Sequence, residues 1–308
     1  MSEKGKNSDV IDFTEIAKNN PSFRAYGGVN GIKKGVLFKG NPYMLKIEHN
    51  GKKNSILSEY ISSKVYSMLD IPTQEVILGK IYDNEREKLC VACKDFKEKD
   101  EYLYEFLNIK NSVLMENSSN GFSTDLIEIL EAIDRQNFCP SGEVRERFWT
   151  MFVVDAYLGN FNRHNGNWGF LVNEKTGTKQ LAPIFDCASC LYPEFTDEQL
   201  QDFLNVPNKL EKGIYTFPKS VIKQNEEKIN YHEFLQTTLN DDCLKAVKKV
   251  IPKIEKKSDE IKDFINDIEV LTPVRKQFYI QILKMRREKI LQPALKRADY
   301  LVNKWYEE

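Results

Sequence analysis

Asn167 and Asp186 place two oxygen donors at the ends of a predicted β-hairpin. Residues 167–172 and 180–185 read as strands, joined by a turn that contains Thr176-Gly177. If the turn is centred there, Asn167 lies opposite Asp186, with Cα atoms roughly 5 Å apart. An amide oxygen beside a carboxylate suits Mg²⁺, which takes one or two protein oxygens together with phosphates and water. By itself, the pair is better explained as polar residues that end two strands.

The loop before the hairpin strengthens the metal-site interpretation. It reads Gly159-Asn160-Phe161-Asn162-Arg163-His164-Asn165-Gly166-Asn167. In protein kinases, a catalytic-loop aspartate accepts the proton of the substrate hydroxyl, an asparagine five residues later holds Mg²⁺, and a second metal-binding aspartate follows. Asn162, Asn167 and Asp186 reproduce that order and spacing, so the pattern predicts phosphate transfer from ATP with Mg²⁺.

Three upstream segments complete the predicted nucleotide site, although each is weak on its own. A glycine-rich segment can bring backbone N–H groups close to phosphates, and a lysine on an apolar strand can pair with them. A glutamate on the following helix stands where an acid that orients this lysine is expected, and the end of the last strand is where an adenine-binding hinge should fall. These candidates are, in chain order, Gly27, Gly28, Val29, Asn30 and Gly31; Lys46; Glu59; and Cys93, Lys94, Asp95 and Phe96.

Hydrophobic periodicity predicts an α+β, bilobal fold. We expect a polar leader over 1–20, a small, mainly-β N-lobe with one helix over 21–96, and a large, mainly-α C-lobe over 97–308. The strands expected in the N-lobe are 36–38, 43–47, 74–82 and 89–96, and its helix is 55–69. In the C-lobe, helical spacing runs over 126–133, 144–158 and 274–306, and one β interruption is expected, at 168–186.

Composition excludes several other classes. The 308 residues, 41% of them hydrophobic, can bury the core of two lobes. A net charge of -1 gives no electrostatic case for direct nucleic-acid or acidic-membrane binding. No apolar run is long enough to span a membrane and no signal peptide is evident, so we expect a cytoplasmic protein, with non-classical secretion into a host left open.

Two cysteine pairs have the spacing of zinc or redox sites: Cys90 with Cys93, and Cys187 with Cys190. Residues three apart on a strand face opposite sides of the sheet, so Cys90 and Cys93 cannot hold one metal ion together. We therefore interpret all four as core residues.

The chain resembles the HipA-like kinases, most closely their short members, from about Phe23 to the C-terminal helices. The resemblance is densest over 91–96, 158–170 and 182–187. It implies a bilobal kinase with ATP in the cleft and serine/threonine phosphorylation of proteins, including itself. The resemblance also allows an antitoxin partner, which the sequence itself does not show. By resemblance, Lys46 contacts phosphates, His164 lies near ATP, Asn167 and Asp186 hold Mg²⁺, and position 162 is the base.

Three features depart from the family. Position 162 is Asn where the family has Asp, and an amide cannot take up a proton. The glycine loop begins near residue 27, so the N-terminal subdomain that precedes it in larger members is not expected here. Larger members phosphorylate a serine just before that loop, for which Ser22 is the nearest candidate.

The Asn at position 162 leaves three hypotheses for function. The leading one is a serine/threonine kinase inactivated by an engineered change at this position, because the other residues needed for catalysis are present. The second is a natural pseudokinase that binds nucleotide as a regulatory module. The third is a lipid or small-molecule kinase, because Arg163-His164-Asn165-Gly166-Asn167 also resembles the catalytic loop of phosphatidylinositol kinases.

Overall fold

The computed structural model describes residues 10–22, 24, 26, 32–49, 51–83, 86–115 and 121–307, in three sheets and a set of helices. The strands are β1 (Ile11–Asp12), β2 (Ile32–Phe38), β3 (Asn41–Ile47), β4 (Val76–Asp83), β5 (Arg86–Lys94), β6 (Glu101–Glu105), β7 (Gly169–Asn173), β8 (Lys179–Leu181), β9 (Lys219–Gln224) and β10 (Glu227–Asn230). The helices are α1 (Thr14–Asn19), α2 (Lys53–Met68), α3 (Phe106–Leu114), α4 (Leu126–Arg135), α5 (Ser141–Leu158), α6 (Asp197–Asn205), α7 (Lys209–Thr216), α8 (Tyr231–Thr237), α9 (Asp241–Asp267), α10 (Pro273–Arg286) and α11 (Gln292–Glu307).

The N-lobe is built on a five-stranded sheet with the order β1-β4-β5-β3-β2. Its strands pair antiparallel, except that β1 runs parallel to β4. Both faces are covered. Val91 and Cys93 of β5 belong to the core that includes α2, whereas Cys90 and Ala92 belong to a second cluster on the other face. As strand alternation predicts, Cys90 and Cys93 therefore lie on opposite faces of the sheet.

The expectation of a polar leader over 1–20 is wrong for the described residues from 10 onward. Ile11 and Asp12 extend the sheet as β1, and the side chain of Phe13 is fully buried. Ile16 and Ala17 of α1 pack against the same cluster of hydrophobic residues. These few apolar side chains cover the outer face of the sheet, and their number was too small to stand out in a polar sequence.

Gly79 provides a test of this packing. A Cβ at Gly79 would lie 2.5 Å from the ring of Phe13 and 2.8 Å from the carbonyl oxygen of Ile11. We expect Gly79→Ala to lower the free energy of unfolding by about 1–3 kcal/mol, the usual cost of overpacking. Urea denaturation would measure the loss. The control is Gly142→Ala, where the added Cβ meets nothing within 4 Å. Equal stability of the two variants would contradict the packing of residues 11–13.

The C-lobe is mainly helical, and its core surrounds α5, whose residues 148–158 are buried on every face. The helices expected over 126–133, 144–158 and 274–306 are present, and so is the N-lobe helix expected over 55–69. The long C-terminal helix is interrupted by a π-helical turn, Arg287–Leu291. The α+β, bilobal fold class is confirmed.

The expectation of a single β interruption in the C-lobe is wrong. Strand β6 pairs with β7, which gives a three-stranded sheet in the order β6-β7-β8. A second hairpin, β9–β10, precedes α8. Strand β9 carries Lys219, Lys223 and Gln224 beside two buried positions. This strand is too short and too polar for its alternation to be distinguished from a loop.

The part of the chain that the structure describes has no helix that is long and apolar enough to cross a membrane. Among the same residues there is no group of three or more His, Cys, Asp or Glu side chains that could hold a metal ion.

Candidate active site

Lys46 of β3 forms an ion pair with one residue of each lobe. Its Nζ is 2.9 Å from Oε2 of Glu59 on α2 and 3.1 Å from Oδ1 of Asp186, which follows β8. Burial by itself would lower the pKa of Lys46, but the carboxylates of Asp186 and Glu59 outweigh it and hold this pKa above its usual value. The charge of Lys46 in turn lowers the pKa of Asp186. The lysine is therefore protonated and the aspartate ionised near neutral pH.

Helix α2 is fastened to the segment that follows Asp186. Oε1 of Glu59 accepts a hydrogen bond from the backbone N–H of Cys187 at 3.1 Å. The hydroxyl of Ser58 accepts from the N–H of Cys190 at 3.1 Å and donates to its carbonyl. Because these groups are buried, the hydrogen bonds fix the position of α2, and α2 in turn holds Glu59 next to Lys46.

Arg163 joins the two loops that carry the candidate metal ligands. Its Nη1 donates to the carbonyl oxygens of Asn167 at 3.0 Å and Phe185 at 2.6 Å, and it lies 3.5 Å from that of Asp186. The side chain is almost fully buried. A single guanidinium group therefore sets the positions of the backbone on both sides of the site.

The charge of Arg163 is balanced by Asp155 on α5, a residue that the sequence analysis did not identify. Asp155 accepts hydrogen bonds from Nε of Arg163 at 2.9 Å, the hydroxyl of Tyr66 at 2.8 Å and Nδ2 of Asn160 at 3.0 Å. Burial lowers the pKa of Arg163, but the Asp155 carboxylate more than offsets this, so the net shift is upward. The available signal was an acid in the apolar helical run 152–156, where a charge requires a partner.

The expectation that Asn167 lies directly opposite Asp186 in the hairpin is wrong. The observed register pairs Phe170 with Leu181, which is shifted by two residues from the expected one. Beyond the ladder, the chain leaves the hairpin at Ile184 and bonds to Pro72 and Gln74 beside the N-lobe. The two candidate ligands are brought together by Arg163 instead of by strand pairing.

The donor atoms of both candidate ligands fit a magnesium ion. Nδ2 of Asn167 donates to the carbonyl of Asn162 at 2.9 Å, and no described residue donates to its Oδ1. Oδ1 of Asp186 pairs with Lys46. The side chain of Asp186 is 44% exposed, so its second carboxylate oxygen is available to a metal ion. Asp186 also has a φ of 55°, an uncommon backbone conformation for a residue other than glycine that often marks functional sites.

Asn162 and His164 belong to the same loop as Asn167. The N–H of Asn162 donates to Oδ1 of Asn160 at 2.9 Å, and no described residue hydrogen bonds to its side-chain amide. Nδ1 of His164 accepts from the N–H of Gly166 at 3.1 Å. Burial lowers the pKa of His164, which favours a neutral ring near neutral pH.

The expected hinge comprises the last two residues of β5 and the two that follow, and part of its backbone already hydrogen bonds within the protein. The carbonyl of Lys94 accepts from Nε2 of Gln74 at 2.9 Å, and the N–H of Asp95 donates to the carbonyl of Pro42 at 2.9 Å. The N–H of Phe96 bonds to no described residue, which leaves it available to a ligand. The rings of Phe96 and Phe185 lie 5.8 Å apart and link this segment to the loop of Asp186. Cys93 is fully buried within the sheet, where it pairs with Met44 and Val76, so its side chain is not accessible to a ligand.

The expected glycine loop, Gly27, Gly28, Val29, Asn30 and Gly31, lies outside the described residues. The chain just before it contacts the hinge. Nη1 of Arg24 is 2.7 Å from Oδ2 of Asp95, and the hydroxyl of Tyr26 donates to the same oxygen at 3.0 Å. The hydroxyl of Ser22 accepts from the N–H of Arg24 at 3.2 Å.

Glu105 was also missed by the sequence analysis. It ends β6 and precedes α3, and its side chain does not cap the helix. A Cβ placed on Gly166 would lie 3.3 Å from Oε2 of Glu105 and 3.2 Å from Nδ1 of His164. Burial, with the nearby charge of Asp186, raises the pKa of Glu105. Nothing in the sequence near Glu105 marks it, because its neighbours at the site are distant in the chain.

A small sheet-rich lobe and a large helical lobe that meet at Lys46, Glu59, Arg163 and Asp186 define a protein-kinase-like fold. No family model matches the chain. It is 38% identical over 297 residues to the serine/threonine-protein kinase CtkA of Helicobacter pylori, across 94% of this chain and 89% of that one. The chain belongs to the HipA-like serine/threonine kinase family, in its short, CtkA-type branch.

Solved structures agree with this placement. The crystal structure of the Helicobacter pylori proinflammatory kinase CtkA matches with a TM-score of 0.89 and 37% identity, over 96% of this chain and 99% of that one. The HipA chain of a Shewanella oneidensis toxin–antitoxin complex with HipB and operator DNA matches with a TM-score of 0.58, over 91% of this chain and 70% of that one. At 12% identity, the second match shows a shared fold alone.

Proposed function

We propose that this chain is built to transfer the γ-phosphate of Mg²⁺-ATP to serine or threonine hydroxyls of proteins, itself included, and that Asn162 impairs the transfer. The observation that carries the proposal is the placement of Lys46 between Glu59 and Asp186, in a cleft where Arg163 also fixes Asn167. These are the parts that phosphate transfer requires: a cation for the phosphates, oxygen ligands for a metal ion, and a rigid frame for both.

Each side chain has a distinct task in this proposal. Lys46, whose charge Glu59 and Asp186 maintain, binds phosphate oxygens of the nucleotide. Oδ1 of Asn167 and the carboxylate of Asp186 would hold Mg²⁺, which when bound neutralises the negative charge that develops on the phosphates. The N–H of Phe96 supplies a donor to the adenine edge, and His164, a neutral ring within the catalytic loop, lies near the ATP.

The transfer step identifies position 162 as the weak point. The substrate hydroxyl oxygen forms a bond to the γ-phosphorus while the bond from that phosphorus to the β–γ bridging oxygen breaks, and ADP leaves. The hydroxyl proton must go to a base. An amide side chain at position 162 cannot accept it at neutral pH, although the residues that bind nucleotide and metal are retained.

Removing the carboxylate of Asp186 tests the metal site. We expect Asp186→Ala to weaken Mg²⁺-ATP binding by at least about tenfold, since even indirect partners of a metal site are worth about 10–100-fold in affinity. Isothermal titration with and without Mg²⁺ would measure the change. Asp202→Ala, which removes an exposed carboxylate paired with Lys209, is the matched control and should bind as the unaltered chain does. Unchanged affinity in Asp186→Ala would contradict the metal assignment.

We also propose an antitoxin-type protein as a partner. The reason is that the chain shares its fold with a HipA chain that was solved together with HipB and DNA. Purification of the chain from its own cells would test this. A stable complex with a second small protein supports the proposal, and a chain that migrates alone contradicts it.

A further inference from the structure

Arg147 of α5 has no carboxylate partner within ion-pairing distance among the described residues. It is half-buried, and its Nη1 donates to the carbonyl oxygen of Ala182 at 3.1 Å. The other nitrogens of its guanidinium group donate to no residue in the described part of the chain. Burial lowers the pKa of Arg147, and the charge of Glu146 offsets this only in part. A half-buried cation with unused donors favours an acceptor from outside the protein.

Arg147 lines a cavity of about 240 Å³ beside the junction of the two lobes. The cavity lies between α5, α9 and the connector from α2 to β4, to which Ile71 and Pro72 belong. Thr150, one turn further along the same face of α5, also lines it, and its hydroxyl bonds to no described residue. A water molecule needs only roughly 10–15 Å³ of such space, so the cavity has room for a small ligand.

Lys253 of α9 supplies a second cation to this cavity. Its Nζ donates to the carbonyl oxygen of Leu69 at 3.1 Å and lies 4.0 Å from a carboxylate oxygen of Asp70. The side chain of Asp70 is 79% exposed, so water screens this long ion pair. Because an ammonium group has three donors, Lys253 retains at least one for a ligand.

The other charged groups of the cavity lie at its exposed rim. Lys249 pairs with Glu146, and the side chains of both are more than half exposed. Glu143 is exposed as well. These groups remain in contact with water, and the first two neutralise each other. The wall itself therefore presents a guanidinium, a hydroxyl and an ammonium group, which together suit an oxyanion.

We propose that this cavity binds a phosphate group, either as the free anion or as the monoester of a small molecule. The planar fork of Arg147 would bind two phosphate oxygens, while Thr150 and Lys253 donate to the others. A phosphate suits the site better than a carboxylate does, because its tetrahedral oxygens accept from several sides and its double charge matches two cations. None of the residues that line the cavity belongs to the candidate active site, so the inference does not rest on the proposed function.

Calorimetric titration of inorganic phosphate at constant ionic strength tests the site. We expect the unaltered chain to bind phosphate saturably, and we expect Arg147→Met to bind it about ten- to a hundredfold more weakly, the range for hydrogen bonds to a charged group. The matched control is Arg145→Met, which removes a guanidinium group of the same helix that pairs with Asp134 and should leave phosphate affinity unchanged. Thr150→Val keeps the shape of its side chain and should weaken binding severalfold, which guards against misfolding of Arg147→Met.

A further variant and two further ligands complete the test. Lys46→Met, with its fold checked by circular dichroism, should bind phosphate as the unaltered chain does, because Lys46 lies outside the cavity. Glycerol 3-phosphate replaces inorganic phosphate in one titration, and whichever of the two binds more tightly identifies the monoester or the free anion as the ligand. Acetate should bind at least about tenfold more weakly than phosphate, since it carries one charge and fewer acceptor oxygens.

Four results would overturn the assignment. They are no binding of either phosphate compound, full affinity in both Arg147→Met and Thr150→Val, loss of binding in a folded Lys46→Met, and acetate affinity equal to that of phosphate. The third result would place the anion at the candidate active site instead. Each of them leaves the kinase proposal standing, because that proposal depends on other residues.

Discussion

Replacing Asn162 by aspartate is expected to raise the rate of phosphate transfer by roughly 10²–10⁴-fold, the usual contribution of a general base. Asn162 lies in a catalytic loop that Arg163 and Asp155 hold in place, and no described residue hydrogen bonds to its side-chain amide. The change exchanges an amide for a carboxylate of nearly the same shape, so the loop should be retained. Incorporation of ³²P from Mg²⁺-ATP into the chain itself and into a test protein would measure the rate.

The matched control for this experiment is the double variant Asn162→Asp, Asp186→Ala. It should lose the restored activity, because it keeps the base but lacks the proposed metal ligand. If Asn162→Asp binds nucleotide and labels nothing, the chain is a natural pseudokinase and the kinase proposal is wrong. If Asn162→Asp labels phosphoinositides and no protein, the chain is a lipid kinase and the protein-kinase proposal is wrong.

Removal of the Asp155 carboxylate is expected to lower the free energy of unfolding by about 3–5 kcal/mol. Asp155→Ala would leave the guanidinium of Arg163 buried without its counter-charge, and it would also remove the acceptor for Tyr66 and Asn160. Because Arg163 bonds to the carbonyls of Asn167 and Phe185, the same variant should bind Mg²⁺-ATP less tightly. Chemical denaturation followed by calorimetric titration would measure both effects.

Two comparisons test whether this loss belongs to the buried pair. Asp134→Ala breaks an exposed ion pair with Arg145 and should cost less than about 1 kcal/mol. In the double variant Asp155→Ala, Arg163→Met, the total loss should be smaller than the sum of the two single losses, since no unpaired charge remains buried. Strictly additive losses would show that the two residues act independently.

The sequence by itself was sufficient to predict a kinase, and the 38% identity to a serine/threonine-protein kinase agrees with that prediction. The interval from Asn162 to Asn167 and the later Asp186 indicated a phosphate-transfer loop because these residues lie close together in the chain, where spacing limits how they can meet. Long helices such as α2 and α5 were also predictable, because many apolar residues repeat at helical spacing. Lys46 was predicted as a phosphate-binding residue because it lies on an apolar strand, and Glu59 was predicted as its partner because it lies on the helix that follows.

Only the tertiary structure decided how these parts are held together. Tyr66 and Asp155 are 89 residues apart, and Lys46 and Asp186 are 140 apart, so no local pattern records that they touch. The register of β7 and β8 also depended on distant contacts, because Ile184 leaves the hairpin to bond with the N-lobe. Local spacing in the sequence thus indicated which residues are candidates for the reaction. Burial and long-range contacts decided that Arg163 and Asp155 position them, since a buried charge must find its partner wherever the fold brings one.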